Sequence, residues 1–154
     1  MTLPRLICRS PILAAAALVL ATAPAAADTD FGVRAGVYTD IEEPFVGVEL
    51  LMPVGRSSWY FNPNLEVVFV DPGDLVTLNI DFHYDFKGTD DLYVWAGGGP
   101  AVVFRDTGRD DETDLGANLL AGVGLKNLAF VPYLQGKVLL ADETEGVIAI
   151  GIRF

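Results

Sequence analysis

Three side chains in the stretch VTLNIDFHYDF, residues 76–86, carry groups suited to general acid–base chemistry: Asp81, His83 and Asp85, each two positions from the next. A spacing of two puts all three on one side of an extended chain, and a histidine flanked by carboxylates can hold one tautomer and pass a proton. Catalysis of that kind also needs a nucleophile. Beyond residue 27 the only serines are Ser57 and Ser58, and the single cysteine, Cys8, lies near the N-terminus. A second role for the same residues is structural. Asp81, His83 and Asp85 then join Glu49 and Glu66 in a closed polar interior, balanced by Arg34, Lys126, Lys137 and Arg153. Buried charges persist where each finds a partner. No catalytic, cofactor or metal site is expected.

The elements that must position these groups are strands. Val76, Leu78, Ile80, Phe82, Tyr84 and Phe86 form the opposite, apolar face of the same segment, the period-2 pattern of a half-buried strand. Eight such strands are expected, at 30–38, 44–52, 58–70, 75–86, 91–104, 114–126, 128–140 and 145–154. A turn at Asp71-Pro72-Gly73-Asp74 sets Glu66 opposite Asn79, Asn64 opposite Asp81 and Asn62 opposite His83, which makes the polar face continuous across two strands. The inner side of 114–126 is rich in glycine, and 145–154 sets Ile148, Ile150, Ile152 and Phe154 against the smaller Val147, Ala149, Gly151 and Arg153.

An eight-stranded barrel has an interior only wide enough for side chains to fill. Bulky rows facing inward would overfill it, so the apolar face is expected to meet lipid and the polar face the lumen. Pro63, Pro100 and Pro132 run against this reading, because each removes one ladder donor inside an expected strand. A soluble lipocalin-like barrel carrying a small apolar ligand in the periplasm is the competing architecture.

The connections alternate in charge. Those after strands one, three, five and seven hold Asp40, Glu42, Glu43, Asp71, Asp74, Asp106, Asp110, Asp111, Glu112, Asp114, Asp142, Glu143 and Glu145; the others carry Arg56, Lys87 and Lys126. In an up-and-down meander this yields one acidic rim and one mildly basic rim, as expected when the two ends face different compartments. The acidic run at 106–114 lacks the spacing of a calcium loop, so loosely held divalent cations, bridging the carboxylates to lipopolysaccharide phosphates, are expected there instead of a defined site. Only 105–114 reads as a loop of any length. Tyr38, Trp59, Tyr60, Phe86, Tyr93, Trp95, Phe104 and Phe154 fall near strand ends, as an aromatic girdle at the headgroups would.

Residues 1–27 read as a secretory signal peptide: Arg5 and Arg9 precede the apolar run ILAAAALVLATA, which ends in the small residues Ala25 and Ala27. Residues 28–154 then form one barrel domain without cysteine, so disulfides and thiol chemistry are excluded. The formal net charge of −11 becomes −13 once Arg5 and Arg9 leave. Nucleic acid is excluded as a partner.

The closing strand GVIAIGIRF ends on Phe154, with Ile152 and Ile150 at alternating positions behind it. On that strand the chain resembles the small eight-stranded outer-membrane barrels of Gram-negative bacteria, the OmpA-like, OmpX-like and OmpW-like proteins. The resemblance implies an all-β, antiparallel, up-and-down transmembrane barrel in the outer membrane, in contact with lipid and lipopolysaccharide. It also implies assembly by the barrel-assembly machinery through the Phe154 strand. The function so implied is structural or interactive, as in envelope integrity or adhesion, and not enzymatic. A lipid-modifying barrel enzyme is the other alternative. The lipid A deacylases of such barrels pair their histidine with a serine two positions later, where this sequence has Asp85.

Overall fold

The computed structural model describes residues 29–154 except 72, 87, 90, 107–110 and 127, and leaves the Asp111 side chain undescribed. The signal-peptide segment and the connecting residues Pro72, Lys87 and Asp110 named above lie outside the described residues. Eight strands close on themselves in sequence order: β1 (Asp30–Tyr38), β2 (Glu43–Pro53), β3 (Trp59–Val68), β4 (Asp74–Phe86), β5 (Leu92–Asp106), β6 (Asp111–Leu125), β7 (Val131–Leu140) and β8 (Thr144–Arg153). Every neighbouring pair is antiparallel, and β1 pairs β8 to complete the ring. Past the β8 end, Phe154 N–H donates to Phe31 O at 2.9 Å and Phe31 N–H to Phe154 O at 3.3 Å. Closure leaves no sheet edge, which a wall in hydrocarbon requires because lipid offers its backbone groups no partner.

The orientation of the wall follows the period of two. Ile80, Phe82 and Leu119 are 40, 43 and 60% exposed, while Asp81 and His83 are 0% exposed. A soluble carrier would have the reverse arrangement, with the apolar rows lining a pocket. Here the apolar rows are the outside.

The register between β3 and β4 departs from expectation by two residues: Glu66 pairs with Thr77, Asn64 with Asn79, Asn62 with Asp81 and Tyr60 with His83. The last β3–β4 pair is Val68–Leu75, so the turn to β4 is longer than the sequence suggests; past Val68 the chain stays with β2 alone, where Phe69 N–H bonds Pro44 O at 2.9 Å. A shift of two preserves the face of every side chain. The 105–114 loop is also shorter than expected, because the hairpin continues to the pair Asp106–Asp111.

The prolines are accommodated on the outer face. Across from Pro63, which has no N–H to give, the carbonyl of Leu50 takes its bond from the Asn62 side chain, Nδ2 to O, at 2.7 Å. At Pro100 the β4–β5 pairing is interrupted, resuming at Phe82–Gly98 on one side and Asn79–Ala101 on the other.

The girdle expectation needs correction at four positions, Tyr60 among them, since it pairs with His83 on the inward parity of β3 and stacks on its ring. Tyr38, Tyr93 and Trp95 are 1, 8 and 0% exposed and lie inside the barrel, because each falls on the inward parity of its strand. Trp59, Phe86 and Phe154 do face outward, joined by Phe31, Phe82, Tyr84 and Phe130. Three inward rings, those of Trp95, Tyr93 and Tyr133, are seated on glycines of the next strand. A Cβ on Gly122 would stand 2.2 Å from the Trp95 ring, one on Gly124 2.5 Å from the Tyr93 ring, and one on Gly151 2.3 Å from the Tyr133 ring. Gly136, on the outward face of β7, has nothing within 4 Å of such a Cβ.

Gly122→Ala should therefore lower stability by about 1–3 kcal/mol through overpacking, whereas Gly136→Ala should leave it unchanged or slightly raised. Urea unfolding in lipid vesicles, followed by tryptophan fluorescence, checks the contrast; equal behaviour of the two variants would contradict the ring-on-glycine packing.

Candidate functional site

The described lumen is stratified along its axis. At the end carrying the acidic connections it is apolar, filled by Tyr38, Phe45, Val68, Leu75, Ala101, Val103, Leu139, Val147 and Ala149. At the other end it is aromatic, with Tyr93, Trp95, Tyr133 and Leu120. Between them lies the polar network. The sequence reading anticipated polar contents throughout and did not foresee the apolar layer.

Two ion pairs organise the middle, and both bridge over a glycine. In the β1–β2–β3 register Arg34 faces Gly47, which faces Glu66; in β8–β1–β2 Arg153 faces Gly32, which faces Glu49. With no side chain on the intervening strand, the charged groups reach one strand further. A Cβ on Gly47 would lie 3.2 Å from Glu66 Cγ and 3.3 Å from Arg34 Cγ, and one on Gly32 2.7 Å from Glu49. The repeated triplets Gly32-Val33-Arg34 and Gly47-Val48-Glu49 are the sequence signal for this arrangement.

Glu66 accepts from Arg34, from Lys137 Nζ at 2.7 Å, from Tyr38 Oη at 2.5 Å and from Thr77 Oγ1 at 3.1 Å. Glu49 accepts from Arg153 Nε at 2.8 Å, Arg34 Nη1 at 3.4 Å and Asn62 Nδ2 at 3.2 Å. Arg153 also donates to Tyr93 Oη at 2.9 Å and lies over the Tyr133 and Trp95 rings, 4.4 and 5.0 Å from their centroids.

Asp81 has a different environment. Asn64 and Asn118 each donate to one of its oxygens at 2.9 Å, Asn79 donates to Asn64 Oδ1 at 2.9 Å, and Asn118 donates to Asn79 Oδ1 at 2.8 Å. The four side chains form a hydrogen-bonded ring. Amide donors thus occupy both carboxylate oxygens of Asp81.

His83 lies at the aromatic end, 5.6 Å from the Tyr60 ring and 5.8 Å from the Trp95 ring, with Nε2 3.3 Å from Asp85 Oδ1. Lys126 is exposed and lies beyond the end of β6, so it is not part of the interior, contrary to the sequence reading. Ser57 Oγ bonds Val54 O at 2.7 Å, and Ser58 lies across from Asp85, whose N–H donates to Ser58 O at 2.8 Å. No described hydrogen bond joins a serine hydroxyl to His83.

The fold has close counterparts among solved structures. The N-terminal β-barrel domain of Pseudomonas aeruginosa OprF superposes with a TM-score of 0.69 at 14% identity, covering 82% of this chain and 95% of that one. Ail, the attachment invasion locus protein of Yersinia pestis, gives 0.60 at 12% identity over 82% and 97%. The outer membrane enzyme PagL gives 0.60 at 13% identity over 81% and 98%. No family model and no curated protein matches the sequence. The fold is that of the small eight-stranded outer-membrane β-barrels of Gram-negative bacteria, and the apolar exterior matches the bilayer in which that fold resides.

Glu66→Ala leaves Lys137 without its carboxylate and Arg34 with only the longer contact to Glu49. Stability should fall by about 3–5 kcal/mol, the loss typical of an orphaned buried charge. Adding Lys137→Met should restore part of it, as a double-mutant cycle by urea unfolding would read.

Proposed function

We propose that this chain is a non-enzymatic outer-membrane protein whose role is structural and interactive: it closes a solute-tight wall in the lipid and presents an acidic rim for contact at the cell surface. The filled lumen carries this reading. A channel needs continuous water, but the axis here is taken up by an apolar layer, the Glu49 and Glu66 networks and an aromatic layer. The up-and-down order brings the connections after β1, β3, β5 and β7 to one end and both strand termini, Asp30 and Arg153, to the other. With the termini on the periplasmic side, the acidic rim faces outward.

Lipopolysaccharide phosphates carry the same sign as that rim, so divalent cations loosely shared between the two are part of the proposal. Recognition of the Phe154 strand by the barrel-assembly machinery is another part. The absence of enzymatic activity is proposed from the chemistry of the interior, where Asp85 occupies the position at which a histidine-paired serine would be needed.

Purified protein in planar bilayers should give no current steps above the protein-free membrane, while membrane fractionation recovers it with the outer membrane. Discrete conductance would overturn the solute-tight reading, and recovery in the soluble periplasm would overturn the whole. Lipid A mass spectra should be unchanged by expression of the protein; a new deacylated species would make it an enzyme.

A further inference from the structure

Several polar atoms of the described interior lack a hydrogen-bond partner, Arg34 Nε, Asn118 Oδ1 and Gln135 Nε2 among them, and the His83–Asp85 pair contributes three that lie close together. Neither imidazole nitrogen has a hydrogen-bond partner, and neither does Asp85 Oδ1, although these atoms are shielded from solvent. Buried polar atoms normally find a partner. Nε2 and Oδ1 are 3.3 Å apart, yet their alignment does not make a hydrogen bond. That separation has another meaning. Two ligands each about 2.0–2.2 Å from a tetrahedral zinc ion stand roughly 3.4 Å from one another.

We propose that His83 and Asp85 hold a divalent transition ion of zinc type at the periplasmic mouth of the lumen. The spacing of two on β4 places both ligands on one face of one strand, so the site is built into the strand's geometry. The Tyr60 and Trp95 rings, at interplanar angles of 27° and 35° to the imidazole, limit its rotation. Gly97 provides the space, since a Cβ there would lie 2.7 Å from His83 Cβ. The Asp85 side chain is 21% exposed while that of His83 is wholly buried, which gives an ion a path in from the mouth with the carboxylate as first contact.

Among the described residues no three His, Cys, Asp or Glu side chains converge as a metal site. The described residues thus supply two ligands and leave the other coordination positions to water, and the affinity is expected to be modest. Neighbouring Asp81 is already held by Asn64 and Asn118 and does not contribute.

The test is zinc titration of the folded full barrel in detergent by calorimetry, with cobalt(II) as a spectroscopic substitute. One zinc per barrel is expected, with cobalt giving the intense visible absorption of a tetrahedral site. His83→Gln and Asp85→Asn should each weaken binding at least tenfold, and Glu143→Gln, at the opposite rim, should not change it. Circular dichroism and heat-modifiable gel migration establish that each variant is folded. Absence of zinc binding to the wild type would overturn the site, as would binding that survives His83→Gln in the folded barrel. Neither result bears on the solute-tight wall, which the conductance measurement reads separately.

Discussion

Hydrocarbon provides no partner for a polar group, and that constraint shapes this molecule from backbone to side chain. The ring of eight strands answers it for the backbone, leaving no unpaired edge. For the side chains it means that ionic groups in the middle of the wall turn inward and are held there by partners. Arg34, Lys137 and Arg153 meet Glu49 and Glu66, and Asp81 is held by amides. The interior is thus no soluble core turned inside out. Its charged groups are concentrated in the middle of the axis, where water is kept from them by apolar side chains at one end and aromatic rings at the other.

Glycine is what fits such contents into so narrow a cylinder. Gly32 and Gly47 let ion pairs span three strands, while Gly122, Gly124 and Gly151 receive aromatic rings. Both uses rest on the same fact: an inward position without a side chain gives its volume to a neighbour. The distribution of glycine on the inner faces of β1, β2, β6 and β8 is therefore as much a part of the packing as the large residues are.

Much of this was legible in the sequence because strand parity is a strict code. The alternation in VTLNIDFHYDF and in the strand ending at Phe154 assigned their faces, and the strands lie within a few residues of where the pattern put them. What escaped was whatever depends on the third dimension. Tyr38, Tyr60, Tyr93 and Trp95 stand near strand ends as girdle residues would, yet their parity turns them inward, and parity outweighs position along the strand. The β3–β4 register lies two residues from the one a turn at 71–74 implies: past Val68 the chain continues along β2, with Phe69 N–H on Pro44 O, and no longer along β4, which no local turn pattern reveals. The apolar inner layer was missed because Phe45, Val68, Leu75, Val103 and Val147 come from separate strands and look like isolated exceptions until the barrel brings them together.

The same parity places a limit on how such a chain can change over evolutionary time. Deleting a single residue within a strand would exchange inside for outside along everything from that point to the next connection, placing carboxylates in the acyl chains and isoleucines on the axis. Viable changes of length are thus confined to the seven hairpin connections, or must come two residues at a time. Relatives of this barrel should then vary freely in the span of their rims while keeping the count within each stave nearly fixed.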